Sequence, residues 1–284
     1  MLTVALCAVC HDREDELYRM LESTRGVDWN EVLVMDMASE PPIRRQDGIT
    51  WLRSESNQGP AAGRNRLAEA ASSDILVFLD DDVLLRTPTM KGILDLFEND
   101  EQLALVAFKI HRRDGLITSA EYPFRGPVRD ADRARPCAYF VGAGYACRRV
   151  AVSQSGGYDE SLVIHGEELD LSFKLTSEGW GLQYFPSVQV EHRPSTRGRA
   201  SATDYWPTTM RNRCITVRKY LPAMIAIPHL LCWAGLTLGY SIRAGRVRLW
   251  WRETTNGLRA PVVRNQLRWP TLRTLHTIGG RVFW

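Results

Sequence analysis

The sequence predicts an α/β fold: a mostly parallel sheet with helices on both faces, followed by a helical C-terminal region that is basic and apolar at once. Three observations predict it. Over the first half, short continuous apolar runs alternate with segments of helical period, the rhythm of βαβ units whose strands are buried on both faces. The charge changes sign along the chain: residues 1–196 carry 21 Lys/Arg against 31 Asp/Glu, a balance of −10, and residues 197–284 carry 15 against 2, a balance of +13. Residues 221–242 form a run of 22 positions without Lys, Arg, Asp or Glu. The chain is long enough for one domain of ordinary size and an appendage, divided here at 1–200 and 201–284.

Taken in order, residues 2–9 (LTVALCAV) are a buried strand, and a helix follows from about residue 14 with Leu17, Met20, Leu21 and Thr24 on one face. Residues 31–36 (EVLVMD) form a second strand and 50–53 a short third. Gly59-Pro60 opens a helix to about residue 71, proline fitting a first turn whose N–H needs no partner. Residues 74–79 (DILVFL) are the next strand and end in Asp80-Asp81-Asp82. Thr87-Pro88 supplies an N-cap and first-turn pair for a helix buried through Met90, Ile93, Leu94 and Phe97, and residues 103–108 are another strand. The polar, Arg-rich stretch 111–136 reads as a long loop that orders on substrate. Residues 138–147 (AYFVGAGYAC) are a Gly-interrupted apolar segment, followed by a helix or turn and a loop at Gly156-Gly157. A helix over 169–178 ends at Gly179 as C-cap, and a last strand over 182–190 runs into Glu191-His192. In such sheets ligands bind at the carboxyl ends of the strands. Asp12, Asp36 and the three aspartates all fall there.

The six cysteines, at 7, 10, 137, 147, 214 and 232, form no dense framework, so reduced thiols in a cytoplasm-facing protein are expected. Cys7 and Cys10 have the C-x-x-C spacing, but in a strand positions i and i+3 point to opposite faces, which suits neither zinc nor a redox pair. The N-terminus has no basic stretch ahead of its apolar run and is not expected to be a signal peptide.

The uncharged run at 221–242 is long enough to span a bilayer. Pro222, Pro228, His229 and Thr237 dilute it, and Trp233, Trp250, Trp251 and the flanking arginines fit a helix lying in the interface, which is the favoured expectation. The expected location is the cytoplasmic face of a membrane, against anionic lipid, where each basic side chain adds about 1 kcal/mol. Arg211 and Arg213 fit either a substrate phosphate or lipid headgroups. Nucleic acid is not the expected partner, because the basic tail is also strongly apolar.

Three constellations carry chemistry. Three adjacent carboxylates straight after a buried strand repel one another and resist desolvation unless a cation neutralises them. Oxygen ligands select Mg²⁺ or Mn²⁺, often shared with substrate phosphates. In Gly166-Glu167-Glu168-Leu169-Asp170 the acids stand at a helix start, where the dipole favours them; a general base taking a proton from an acceptor hydroxyl is the functional reading. His192, at the end of the last strand, faces the same edge and is a candidate metal ligand.

Together, Asp36…Ser39, Asn57-Gln58-Gly59-Pro60-Ala61-Ala62-Gly63-Arg64-Asn65, Phe78-Leu79-Asp80-Asp81-Asp82, Gly156-Gly157-Tyr158-Asp159-Glu160, Gly166-Glu167-Glu168-Leu169-Asp170-Leu171-Ser172 and His192 resemble family 2 glycosyltransferases of the GT-A fold. The resemblance covers about residues 2–193 and rests on the ordered set, since no single motif is unique. It implies inverting transfer from a nucleoside diphosphate sugar, UDP- or dTDP-linked, to a hydroxyl of a lipid-linked or cell-envelope glycan. By the same resemblance Asp36 contacts the nucleobase, with Asp12 and Arg13 nearby, and Arg64 faces the nucleotide. Asp80, Asp81 and Asp82 form the D-x-D motif, Asp80 towards ribose and metal and Asp82 on the metal, which His192 completes. Glu168 stands where the family usually has Asp as base, so the choice among Glu167, Glu168 and Asp170 stays open. The Q-x-x-R-W signature of processive synthases is absent, since Gln266-Leu267-Arg268-Trp269 is one residue short, so one sugar per encounter is expected. Two other classes compete: a sugar nucleotidyltransferase, which would open with a Gly-rich loop that residues 10–15 lack, and a non-catalytic nucleotide-sugar-binding membrane protein.

Overall fold

The computed structural model describes residues 1–87, 90–162, 165–195 and 204–280. The strands are β1 (Val4–Cys10), β2 (Glu31–Met37), β3 (Thr50–Ser54), β4 (Ile75–Leu79), β5 (Val83–Leu85), β6 (Leu103–Arg112), β7 (Arg135–Pro136), β8 (Gly144–Arg148) and β9 (Gly181–His192). The helices are α1 (Glu14–Ser23), α2 (Gly59–Ala70), α3 (Lys91–Asn99), α4 (Arg149–Gln154), α5 (Glu167–Ser177), α6 (Tyr205–Tyr220), α7 (Ala223–Arg243), α8 (Val247–Arg259) and α9 (Trp269–Thr277).

The strands join one sheet in the order β3-β2-β1-β4-β8-β6-β9-β5, with β7 on β9. Period two along β1 sends Val4, Leu6, Ala8 and Cys10 into one core layer, with Leu17 and Met20 of α1 and Ile93 and Phe97 of α3. It sends Ala5 and Cys7 into the other, with Ala61, Ala62 and Leu67 of α2 and Leu171 and Leu175 of α5. Both faces are covered, and Cys7 and Cys10 stand back to back. All six cysteines are free thiols.

The sheet is mixed, not mostly parallel. β1 pairs in parallel with β2 and β4, β2 with β3, and β6 with β9. β8 runs antiparallel between β4 and β6, and β5 and β7 run antiparallel to β9. The apolar segment at 138–147 pairs only from Gly144 onward; its first half bends past the buried Arg64 and enters the sheet from the other end. A run apolar on both faces fits either direction, so composition does not reveal the reversal.

Other boundaries move for local reasons. The Thr87 hydroxyl accepts the Gln189 N–H at 3.2 Å instead of capping a helix, and α3 starts at Lys91; Pro88 lies outside the described residues. α5 starts at Glu167, two residues before the expected 169, because Gly166 at φ 104° turns the chain into it. Gly179, at φ 91°, ends that helix as expected, with the Trp180 N–H bonded to Leu175 O at 3.0 Å. The loop at 111–136 is anchored: Tyr122 and Phe124 are buried, and both rings pack edge-on against Tyr184.

The C-terminal helices pack against the sheet domain through α5, whose Leu169 and Phe173 meet Val217 and Tyr220 of α6 and Leu272 and Leu275 of α9. Polar contacts lock the same junction. Lys219 donates to Asp170 Oδ1 at 2.8 Å and also to Asp159. Asn212 Nδ2 donates to Leu162 O at 3.0 Å and His165 O at 2.8 Å.

Candidate active site

The carboxyl ends of β1 and β2 carry the first group of acids. The Asp12 N–H donates to Ser39 Oγ at 2.9 Å, and the Glu40 N–H to Asp12 Oδ1 at 2.8 Å. Ser39 N–H in turn donates to Asp36 Oδ1 at 2.8 Å, and Arg53 from β3 pairs with Asp36 Oδ2. Asp12 and Ala38 adopt left-handed backbone, φ 57° and 59°, which folds the two loops against each other. The result is a buried carboxylate, Asp36, fixed at the sheet edge with Arg53 beside it.

The aspartate trio at the end of β4 is split three ways. Asp81 accepts from Arg13 Nη1 at 2.7 Å, and Asp82 Oδ2 lies 3.5 Å from the same nitrogen. Asp80 Oδ1 accepts from Arg64 Nη2 at 3.1 Å. Asp82 Oδ2 also accepts the Ser195 N–H at 3.0 Å, and Asp82 Oδ1 stands 3.4 Å from His192 Nε2. Burial pushes the Asp81 carboxyl up to about 7, against the pull of Arg13. Burial pushes Asp82 up too, but the hydrogen bond and charge of His192, the Ser195 N–H and Arg13 prevail and hold it at about 2. Burial disfavours the charged imidazole of His192, yet Asp82 and Glu121 together raise its pKa above the ordinary value.

Glu121 is the residue that sequence reasoning missed here. It is 3 % exposed, and its Oε1 meets His192 Nδ1 at 3.1 Å while accepting from Arg112 Nε at 2.7 Å. A carboxylate behind an imidazole fixes its tautomer and turns the other nitrogen outward, the usual support of a metal-ligating histidine. Asp82 Oδ1 and His192 Nε2 are therefore the pair that could hold a divalent ion. Among the described residues no three His, Cys, Asp or Glu side chains gather at metal-binding distance, and Asp80 is turned to Arg64.

Across the cleft edge, α5 presents its first-turn acids to the same arginine. Arg64, from α2, is buried; its Nη2 donates to Asp80 and to Gly142 O at 3.3 Å, and its Nη1 lies 3.5 Å from Glu167 Oε1. The Tyr145 and Tyr158 rings flank the guanidinium at 5.9 and 5.7 Å. Arg64 Nη1 and Glu167 Oε2 are buried without a hydrogen bond, the mark of a site built to receive a polar ligand. Burial first, then the neighbouring charge of Glu168, raises the Glu167 carboxyl well above its ordinary range. Glu168 is half-buried. A Cβ on Gly142 would stand 2.5 Å from Arg64 Nη2 and 2.6 Å from Glu168 Oε1, so Gly142 is the floor on which both rest. Asp170 is not with them: it is fully buried, with Oδ1 on Lys219 and Oδ2 3.4 Å from Lys174 Nζ. Asn65, beside Arg64, holds the Gly157-Tyr158 loop, accepting the Tyr158 N–H at 2.8 Å and donating to Tyr158 O at 3.0 Å.

Comparison with known proteins agrees with this geometry. Residues 6–155 match the family described as glycosyl transferase family 2. The chain is 32% identical over 200 residues to the pre-mycofactocin glycosyltransferase of Mycobacterium tuberculosis, an alignment covering 64% of this chain and 41% of that protein. It is 36% identical over 70 residues to the N-acetylglucosaminyl-diphospho-decaprenol L-rhamnosyltransferase of the same species, covering 24% and 23%. The chain thus spans about two fifths of the length of the first of these relatives. Among solved structures, GalNAc-T7 with UDP, GalNAc and Mn²⁺ superposes at a TM-score of 0.64 with 16% identity, over 89% of this chain and 54% of that one. The Pyrobaculum calidifontis mannosyltransferase with GDP-Man and Mn²⁺ gives 0.54 with 15% identity, over 97% and 79%. These two likenesses concern the fold, which is the GT-A type. With an extended match across β1 to α4 and the acids of its motifs gathered at one sheet edge, the chain belongs to glycosyl transferase family 2.

Proposed function

We propose that the chain is an inverting glycosyltransferase that moves one sugar from a UDP- or dTDP-linked donor to a hydroxyl of a lipid-linked or cell-envelope acceptor, at the cytoplasmic face of a membrane. The observation that carries the reading is a single buried arginine, Arg64, bridging Asp80 of the trio and Glu167 at the start of α5. It ties the diphosphate end of the site to the end where an acceptor would be deprotonated.

Asp36 and Arg53, with Asp12 close by, form the end that fits a nucleobase and ribose. Arg13 holds Asp81 and Asp82 in place. Asp82 and His192 would hold Mn²⁺ or Mg²⁺, which when bound supplies positive charge where the diphosphate leaves; nucleotide-sugar relatives of this fold carry Mn²⁺. Arg64 contributes charge to the same leaving group from the other side. Glu168 takes the proton of the attacking hydroxyl, because Asp170 is engaged by Lys219 and Glu167 is buried against Arg64, whereas Glu168 is half-buried. Attack opposite the leaving diphosphate with one base gives inversion.

The test is a thermal-shift screen of nucleoside diphosphates and nucleotide sugars with Mn²⁺, since ligands stabilise the state they bind. UDP or dTDP with Mn²⁺ should raise the melting temperature, and Asp82→Ala should abolish the shift; a shift that survives intact in the variant removes the metal assignment. Glu168→Gln should bind donor normally and lose transfer. Unchanged turnover in that variant would remove the base.

A further inference from the structure

Helix α7 is built inside out. Its buried side carries Ile225, His229, Thr237 and Ser241, three of them polar, against α6 and α8. Thr237 Oγ1 accepts from Trp250 Nε1 at 2.8 Å, and the Arg213 guanidinium lies 4.1 Å above the Trp233 ring. Its open side carries Met224, Ile227, Leu231, Leu236 and Ile242, which are 79, 60, 68, 47 and 59 % exposed. In water the two sides would be exchanged, because apolar surface is stabilised by leaving water and polar groups are not. α8 continues the pattern. Val247, Trp251 and Leu258 are exposed at spacings of four and seven, and Arg248, Arg252 and Arg259 form a second exposed row one residue further on. An apolar row flanked by a row of arginines is the pattern of a helix at a lipid surface.

The geometry points to α7 and α8 as a docking surface for an anionic lipid bilayer, with α7 lying in the interface and not crossing it. The reading of the chain as a transferase acting on a lipid-linked acceptor underlies this inference. Crossing is opposed by what α7 is attached to. Only Leu221 and Pro222 separate it from α6, which is locked to the catalytic unit by Lys219 on Asp159 and Asp170 and by Asn212 on the chain before α5. α7 packs along α6 and α8, which carry Arg211, Arg213, Arg218, Arg248 and Arg252. A perpendicular α7 would strip its polar side of those partners or draw the arginines into hydrocarbon. Charge supports the choice of partner: the tail from residue 197 is +13 and the rest of the chain −10, so an anionic surface attracts one end and repels the other.

The same helix is joined to the catalytic loop by aromatic contacts. Tyr240 of α7 stacks on Trp206 at 4.2 Å and 6°, Trp206 meets Tyr205 at 4.9 Å, and Tyr205 meets His165 at 4.3 Å, immediately before Gly166 and the two glutamates. An acceptor anchored in the bilayer would have this row between its membrane end and Glu168.

The experiment is co-flotation of the full chain with vesicles of phosphatidylglycerol and phosphatidylcholine, and with phosphatidylcholine alone, beside sedimentation velocity without lipid. The native chain should float with the anionic vesicles and lose binding as salt rises. The double variant Ile227→Glu, Leu231→Glu should weaken binding about tenfold or more, and Arg248→Ala about fivefold, with the Mn²⁺–UDP thermal shift unchanged in both. Native chain left in the soluble fraction, equal binding by the double variant, or a dimer dissolved by that variant would overturn the inference. If instead the native chain floats but shows neither thermal shift nor transfer, the docking surface stands and the transferase reading fails.

Discussion

Replacing Gly142 by alanine separates the chemistry of the site from the stability of the fold. The added Cβ would stand 2.5 Å from Arg64 Nη2 and 2.6 Å from Glu168 Oε1, whereas ordinary contacts begin near 3.4 Å. Each group must therefore retreat by nearly 1 Å, the difference of those distances. Neither neighbour is backbone, so the fold can absorb the change at a cost of about 1–2 kcal/mol, the lower part of the range for overpacking. Arg64 cannot retreat without stretching its bonds to Asp80 at 3.1 Å and Gly142 O at 3.3 Å. A displacement of that size in groups that orient reacting atoms costs about 100-fold in rate. Turnover is measured as nucleoside diphosphate released from the donor with acceptor present, and stability by thermal unfolding. The expected result is a melting temperature lowered by about 2–6 °C with turnover lowered about 100-fold. Turnover within about twofold of native would refute the placement of Arg64 and Glu168 on either side of Gly142 as working groups.

Two further outcomes follow from the proposed metal end of the site. Glu121→Gln keeps the shape behind His192 but removes its charge, so Mn²⁺ affinity measured calorimetrically with UDP present should fall about 10-fold or more, and unchanged affinity would detach His192 from the metal. For Asp81 the sign follows from its raised pKa. A carboxyl at about 7 when folded, from 3.8 when free, contributes stability that is intact below about pH 4 and lost as pH rises through 7. At about 1.4 kcal/mol per unit the loss is at most about 4 kcal/mol, and Asp81→Asn should flatten the decline in unfolding free energy between pH 4 and 8. Parallel profiles for the two proteins would show that Arg13 fully compensates the ionised acid.

The parts of the site that sequence reveals are those in which one short segment carries its own cause. Three acids after five buried residues declare a strand end, and His192 closes another. Alternation in β1 is strict enough to place Cys7 and Cys10 on opposite faces. Glu121 has no such signal, since it sits in an aperiodic stretch and acquires its role from a histidine 71 residues away. The reversal of β8 is equally hidden, because apolar residues on both faces suit either strand direction. Asp170 reads as a partner of Glu167 and Glu168 by proximity in sequence, yet a tertiary contact engages it with Lys219, 49 residues on. Thr87 has the chemistry of a cap, but a tertiary contact from β9 claims its hydroxyl first.

Lys219 makes the helical end of the chain a support for the segment that begins α5. Its ammonium meets Asp170 on α5 and Asp159 in the loop before it, and Lys174 lies on the other oxygen of Asp170. Without Lys219 the buried Asp170 would keep Lys174 alone, which weakens the hold on the segment that carries Glu167 and Glu168. A chain truncated before α6 is therefore expected to lose the brace behind those two glutamates, whatever its sheet retains.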